Sequence, residues 1–383
     1  MISSTLIAAM AFTPPATSEI HPLGCSHAYL PEYDVLGGLT ASLQGSETWP
    51  GPASQAIKER ADEPNLVNPR QLTFGGQNAE AYWSKDGKTI IFQTRQALWP
   101  DEQIVRMNAD GSNKTLISTG KGRCTCSYFT PDLKHVYFSS THEKNEGAQA
   151  PLDMSKGYLW KVNPEFSLYR QSNTGNIAND KPELLLSRDG YIAETTIAPN
   201  GKYITFTGDF EGDIDIYRAD MNGKNIKKLT TDEGYDGGPF VSWDSKKIVF
   251  RRDSIDTEEE RMDYRRLHAE NLVRPSKLEI WVMDADGRNK KQVTKLGCAS
   301  FAPFILPDNK RIIFSSNYGD PKGREFDLFT INLDGTDLKR ITNSPDFDGF
   351  PMITRDGKKL VWASNRNGKV RGETNVFVAD WVN

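Results

Sequence analysis

Long apolar runs are missing from this chain of 383 residues. Nothing in it approaches the ~18 consecutive apolar residues of a membrane-spanning helix, so a helical integral membrane protein is excluded. A basic surplus is missing too. Lys and Arg number 47 against 51 Asp and Glu, a net charge of −4, which argues against a general nucleic-acid binder, because phosphate contacts need a positive excess. Cysteine is scarce: Cys25, Cys124, Cys126 and Cys298 are the only 4. None forms a C-x-x-C pair or a Cys/His cluster with zinc spacing, and the count is too low for a disulfide-built scaffold of this length. No G-x-S-x-G occurs, so the nucleophile-elbow chemistry of hydrolases is absent. What is plentiful is turn chemistry and aromatics: 31 Gly, 21 Pro and 10% Phe, Trp and Tyr. That composition suits a turn-rich folded chain and not a disordered one.

The N-terminus differs from the rest. Residues 5–12 (TLIAAMAF) form a short apolar run followed by TPPATSE, in the manner of a secretory signal, although no Lys or Arg precedes it. Residues 1–20 are therefore read as a signal or leader and 21–67 as an extended segment rich in Pro, Ser, Gly and Glu. Residues 68–383 form the main domain.

A repeat organises that domain. One phrase, two short aromatic or β-branched runs around an Asp-Gly-Lys-like turn, begins at 81, 127, 195, 239, 303 and 351. Examples are AYWSKDGKTIIFQT (81–94) and PMITRDGKKLVWAS (351–364). Gly, Asn and Asp at the turn tolerate the positive φ that tight hairpins need. A second hairpin phrase follows, as in DIYRADMNGKNIKKLT (215–230) and LFTINLDGTDLKRIT (328–342). Its second copy is degenerate, and YLWKVNP (158–164) with ELLLS (183–187) is assigned to it. Each unit thus supplies four strands, a to d. The last unit ends without strand d, while Pro69-Arg70-Gln71-Leu72-Thr73 matches Leu338-Lys339-Arg340-Ile341-Thr342 at the other end of the chain. The expected fold is all-β: a six-bladed β-propeller of four-stranded antiparallel blades, closed by an N-terminal strand that supplies the outer strand of the last blade. Closure leaves no unpaired edge.

On these residues the domain resembles the TolB-type, WD40-like propeller family. The resemblance implies a periplasmic or secreted location and a propeller that binds a protein partner, as a subunit of an envelope or extracellular assembly. Prolyl-oligopeptidase-like enzymes use a similar propeller beside a hydrolase domain, for which this chain has no room. Some pectate-type lyases are similar propellers with metal-bearing channels, a need not clearly met by His21, His27, His135, His142 and His268.

The a–b turns are uniformly tight, whereas the b–c connections vary in length, so the b–c face is the expected binding face. The largest b–c insert, 253–277, reads as a helix with a Thr257–Glu260 capping box. It carries Arg265, Arg266 and His268 as candidate ligand-binding residues. Lys322 and Arg324 in one further b–c loop, and Arg366, Lys369 and Arg371 in another, extend a basic rim. Such a rim around an acidic centre suits a polar or acidic partner, a peptide tail or a charged glycan. Aligning the units places Glu80 and Glu194 at one inner-strand position and Asp236 and Asp348 two residues earlier. These four acids are expected to share one channel mouth, where they would suit Ca²⁺. The function expected is that of a non-enzymatic binding or scaffold propeller docking a protein or peptide on the b–c face. The alternatives are a carbohydrate- or peptide-processing enzyme with Glu80 and Glu194 as general acid and base, or a structural subunit of a larger assembly.

Overall fold

In the computed structural model, which describes residues 49, 51–175, 180–345 and 347–383, the repeats fold as six four-stranded antiparallel blades, the last carrying a fifth strand. The leader expected over 1–20, and 21–48 of the extended segment, lie outside the described residues. From the inner strand outward, blade 1 is Gln77–Trp83, Thr89–Arg95, Gln103–Asn108 and Thr115–Leu116; blade 2 is Cys124–Phe129, His135–Ser140, Ser167–Ser172 and Glu183–Leu186. Blade 3 is Ile192–Ile197, Tyr203–Asp209, Ile214–Asp220 and Lys227–Lys228; blade 4 is Asp236–Val241, Lys247–Asp253, Leu278–Asp284 and Lys291–Gln292. Blade 5 is Ser300–Ile305, Arg311–Ser316, Asp327–Asn332 and Lys339–Arg340; blade 6 begins Asp348–Ile353, Lys359–Ser364 and Asn375–Trp381.

Blade 6 is completed from the other end of the chain. Leu66–Gln71 pairs antiparallel with Asn375–Trp381, with Leu66 opposite Trp381 and Gln71 opposite Phe377. A bulge between Val67 and Arg70 accommodates Pro69, which has no N–H to give a ladder. Gln55–Ala56 then covers the outer edge. Leu66 and Leu72 are buried to 3% and 0% exposure, each contributing about 1.5–3 kcal/mol by leaving water.

In five of the six blades the residue at the end of the outer strand carries a hydroxyl with a defined task. Thr230 Oγ1 accepts from Ile216 N–H at 2.9 Å and donates to Asp215 Oδ1 at 2.9 Å. The same arrangement joins Ser118 to Gln103, Thr294 to Glu279, Thr342 to Asp327 and Thr73 to Asn375. The repeated Leu-Thr or Ile-Thr signature therefore satisfies a third-strand amide that the short outer strand does not reach.

Every inner strand also carries a bulge. The register shifts at Ala79/Tyr82, Thr125/Tyr128, Ala193/Thr196, Gly237/Phe240, Phe301/Phe304 and Gly349/Met352. At each bulge one residue is left-handed: Glu80 (φ 51°), Cys126 (51°), Glu194 (58°), Gly238 (58°), Ala302 (48°) and Phe350 (56°). Five of the six are not glycine, so about 1–2 kcal/mol of backbone strain sits at each.

One expectation fails in blade 2. The third strand is Ser167–Ser172, not 158–164; Trp160–Lys161 leaves the blade and pairs with Leu272–Val273 of the blade 4 insert. The helix expected in that insert forms over Glu258–His268. Thr257 caps its first turn and Glu260 answers the cap backbone.

The strained ring yields a stability test. Ala302→Gly is expected to be neutral within about 0.5 kcal/mol in urea unfolding, because relief of the left-handed strain offsets the lost methyl burial. Gly238→Ala is expected to cost about 2 kcal/mol or more, since its new Cβ would meet the Arg251 guanidinium in the same strained conformation.

Candidate functional site

Two residues past each bulge, the inner strands send side chains to the propeller axis. Tyr82, Tyr128 and Phe240, from blades 1, 2 and 4, pack mutually with ring centroids 5.2–6.0 Å apart, and Phe304 adds to Phe240 at 5.5 Å. Blades 1 and 4 face each other across a six-membered ring, so this layer fills the axis.

The b–c mouth is filled as well, and by a residue from outside the blades. Trp160, 2% exposed, lies edge-on to Tyr235 and Phe301 at 5.9 and 6.2 Å. It belongs to an apolar cluster that includes Ala79, Cys126, Ala193, Phe301 and Phe350 from the inner strands of five blades, and Tyr235 just before that of blade 4. The expected acidic mouth is thus an aromatic plug.

Beneath the plug lies a buried charged network. Glu194 pairs with Arg251, both side chains 2% exposed, and accepts from Thr207 Oγ1 (2.6 Å), Tyr235 OH (3.1 Å) and the bulge amide of Gly238 (2.7 Å). Burial pushes its carboxyl up, but Arg251 and these donors win and hold it below the usual range. Arg251 lies 5.0 Å from the Trp160 ring centroid, a cation–π contact linking network to plug. Gly237 has no side chain because a Cβ there would meet Tyr235 OH at 2.5 Å.

The other candidate acids have their own surroundings. Asp236 stands 3.6 Å from Arg252, and burial drives its carboxyl well above the usual range. Asp348 accepts from Arg366 at 2.6 Å and from Trp362 Nε1 at 3.0 Å. Glu80 is buried at 1% exposure. Three of the four acids are thus faced by a separate arginine. Among the described residues, no group of three or more His, Cys, Asp or Glu is arranged to hold a metal ion.

Arg366 departs from the expected rim. It is 8% exposed, because Glu63 grips it at 3.0 and 3.2 Å while Asp348 holds it from the channel side. Glu63 belongs to the segment that precedes the closing strand, so this network ties the N-terminal segment to blade 6.

The remaining candidates lie on the b–c face. The helix rests on blade 3: Tyr264 OH donates to Asp213 at 2.5 Å, and His268 Nε2 meets Asp209 at 2.7 Å. The Asp209 bond raises the His268 pKa above its ordinary value. Arg265 pairs with Glu233 and Arg266 with Asp263, both arginines exposed. Leu267 is buried with Leu159 and Leu272, whereas Met262 is 57% exposed. The blade 2 and blade 4 inserts, zipped by Trp160–Lys161 and Leu272–Val273 and by a Lys156–Glu270 ion pair, form one platform. Lys322 and Arg324 are exposed on a loop whose amides bond Asp320. Lys369 and Arg371 are exposed on the blade 6 loop. Large exposed apolar side chains accompany them, with Leu98, Met262, Tyr318 and Val370 each on a different b–c connection.

Sequence reasoning missed Trp160, Glu63, Arg251 and Tyr235. A signal for the first existed: Leu168-Tyr169-Arg170 matches Ile216-Tyr217-Arg218 of the next blade, which frees 158–164 for another use.

No family model matches the chain. An uncharacterized protein of Agrobacterium fabrum is 25% identical over 131 residues, which are 34% of this chain and 38% of that protein. The match therefore spans well under half of that relative. Among solved structures, a protein of Agrobacterium tumefaciens assigned as a TolB superposes with a TM-score of 0.52 at 18% identity, covering 80% of this chain and 91% of that one. TolB from Acinetobacter baumannii gives 0.51 at 16% identity, over 80% of this chain and 64% of its own. An oligogalacturonate lyase from Vibrio parahaemolyticus gives 0.51 at 11% identity, over 85% and 96%. The chain has the fold of the TolB-type propellers. No helix among the described residues is long and apolar enough to cross a membrane.

Buried carboxylates around this face set a pH dependence. Burial pushes Glu102 up to about 7 against the pull of Arg123, and Asp327 up to about 7 against Arg340. Folded pKa values above unfolded ones mean stability that is fully present below about pH 4 and lost as pH rises through about 7. Melting temperature should fall between mildly acidic and mildly alkaline pH. Glu102→Gln and Asp327→Asn should each flatten that slope, and an unchanged slope in both would contradict the assignment.

Proposed function

We propose that this propeller is a non-enzymatic binding module that docks a protein or peptide partner on its b–c face, in the periplasm or outside the cell. One observation carries the reading. Two inserts from non-adjacent blades leave their sheets, pair with each other above blade 3, and spend a tryptophan on closing the axis. That investment builds a firm platform over a filled channel, and exposed apolar side chains surround it one per loop. Aromatic and aliphatic anchors within a polar rim are the usual composition of a docking surface. The resemblance to TolB-type propellers supports a protein partner and membership of an envelope or extracellular assembly.

A second reading follows from the likeness to the oligogalacturonate lyase: an enzyme acting on a carbohydrate or peptide. It would need Glu194 to leave a carboxylate–arginine pair that favours the charged form, the opposite of what a general acid requires. Calcium at Glu80, Glu194, Asp236 and Asp348 is a rival proposal that requires Arg251, Arg252 and Arg366 to give up their carboxylates.

The test is capture from envelope extract by the full chain and by surface variants. Met262→Glu, Tyr318→Glu and Val370→Glu should each reduce recovery of a specific partner about tenfold or more, the size of a hot-spot loss. Leu184→Glu, on an outer strand, should not. Equal capture by all four would overturn the face assignment, and turnover of oligogalacturonate that is lost in Glu194→Gln would favour the enzyme.

A further inference from the structure

The blade 4 insert forms a cleft, open to solvent, of about 670 Å³ between its helix and the chain returning through Ser276 and Lys277. Part of the wall is apolar, from Ile255, Met262 and Tyr264. Most of the charges lining it are already matched. Asp263 serves both Arg266 and Arg274, and Glu260 holds Lys277. Two lining charges are left over, Asp253 and Glu259; both are acids, and neither enters an ion pair among the described residues. Asp253 is half-buried at the end of a blade 4 strand. Burial and the nearby charges of Glu260 and Asp256 push its carboxyl up to about 7, with a hydrogen bond from the Ser254 backbone N–H and the charge of Lys277 pulling the other way. A partly desolvated carboxylate with a net negative surrounding gains from an added cation, and the apolar wall gains from methylene groups.

We propose that this cleft is a seat for an organic cation on a short aliphatic chain, its ammonium or guanidinium group on Asp253 and its methylenes along Ile255 and Met262. The seat lies on the docking face but goes beyond the docking reading, because a free amine fills it without any partner. The same chemistry also describes a lysine or arginine side chain presented by a docked protein.

Calorimetric titration of the full chain with n-butylammonium, butyrate and 1-butanol tests this. Saturable binding of butylammonium alone is the expected result. Asp253→Asn should weaken it about tenfold or more while keeping the native melting temperature. Wild-type affinity should also rise with pH through about 7 as Asp253 ionises. The other charged groups at the cleft are Asp256, Glu259, Glu260, Asp263, Arg266, Arg274 and Lys277. Binding of butyrate or 1-butanol as tight as that of butylammonium, a flat pH profile, or an unchanged affinity in folded Asp253→Asn would each overturn the proposal. Should Asp253→Asn not fold, the wild-type pH profile and exposed Glu259→Gln, expected to weaken binding, decide it. A lysine peptide that binds more tightly than butylammonium, with its norleucine counterpart inert, assigns the seat to a partner's side chain; equal or weaker binding assigns it to free amines. Tyr318→Glu and Val370→Glu, which disrupt docking elsewhere on the face, should leave butylammonium binding unchanged, so the two readings fail separately.

Discussion

The structure depends on one strand exchange. A propeller of six twisted blades has no intrinsic reason to stay closed, because each blade contacts only its neighbours and the first and last are strangers in sequence. Here the gap is sealed by Leu66–Gln71 lying in the same sheet as Asn375–Trp381. The seal is doubled on the b–c side by Glu63, Arg366 and Asp348, all less than 10% exposed. A buried cation between two carboxylates is not by itself strongly stabilising, since desolvation offsets much of the attraction. Its value lies in specificity: leaving Arg366 without Glu63 would strand charge in the interior, so the N-terminal segment has one acceptable place.

Closure fixes the axis, and the axis sets what the protein can do. Once the ring is sealed, the six bulges stand at one height and turn their neighbours inward. The space they enclose is taken up by Tyr82, Tyr128 and Phe240 at one level and by Trp160 at the mouth. Small residues make this packing work. At Gly349 a Cβ would run into Phe347, as one at Gly237 would run into Tyr235. With the axis filled, charge and exposed apolar side chains vary from blade to blade on the platform and loops of the b–c face.

The repeat made the architecture legible, including the displaced strand, because hairpin turns and the Leu-Thr signature report local chemistry that each blade needs on its own. The capping box at Thr257 and Glu260 was legible for the same reason. The site was less so. That Glu80, Cys126, Glu194, Gly238, Ala302 and Phe350 are equivalent could be read by alignment, but a left-handed conformation shared by a glutamate, a phenylalanine and a glycine leaves no common residue type. Arg366 reads as a rim cation beside Lys369 and Arg371. Only the return of Glu63 from 303 residues away places it inside. Trp160 was hidden by its resemblance to a blade strand, since an apolar, alternating segment satisfies both uses.

Amide hydrogen exchange on the intact protein tests the closure most directly. The account predicts that amides of 66–73 and 375–381 exchange together, at the slow rate of the inner strands, because they open only when the ring opens. Fast, independent exchange of 66–73 while 375–381 stays protected would contradict it.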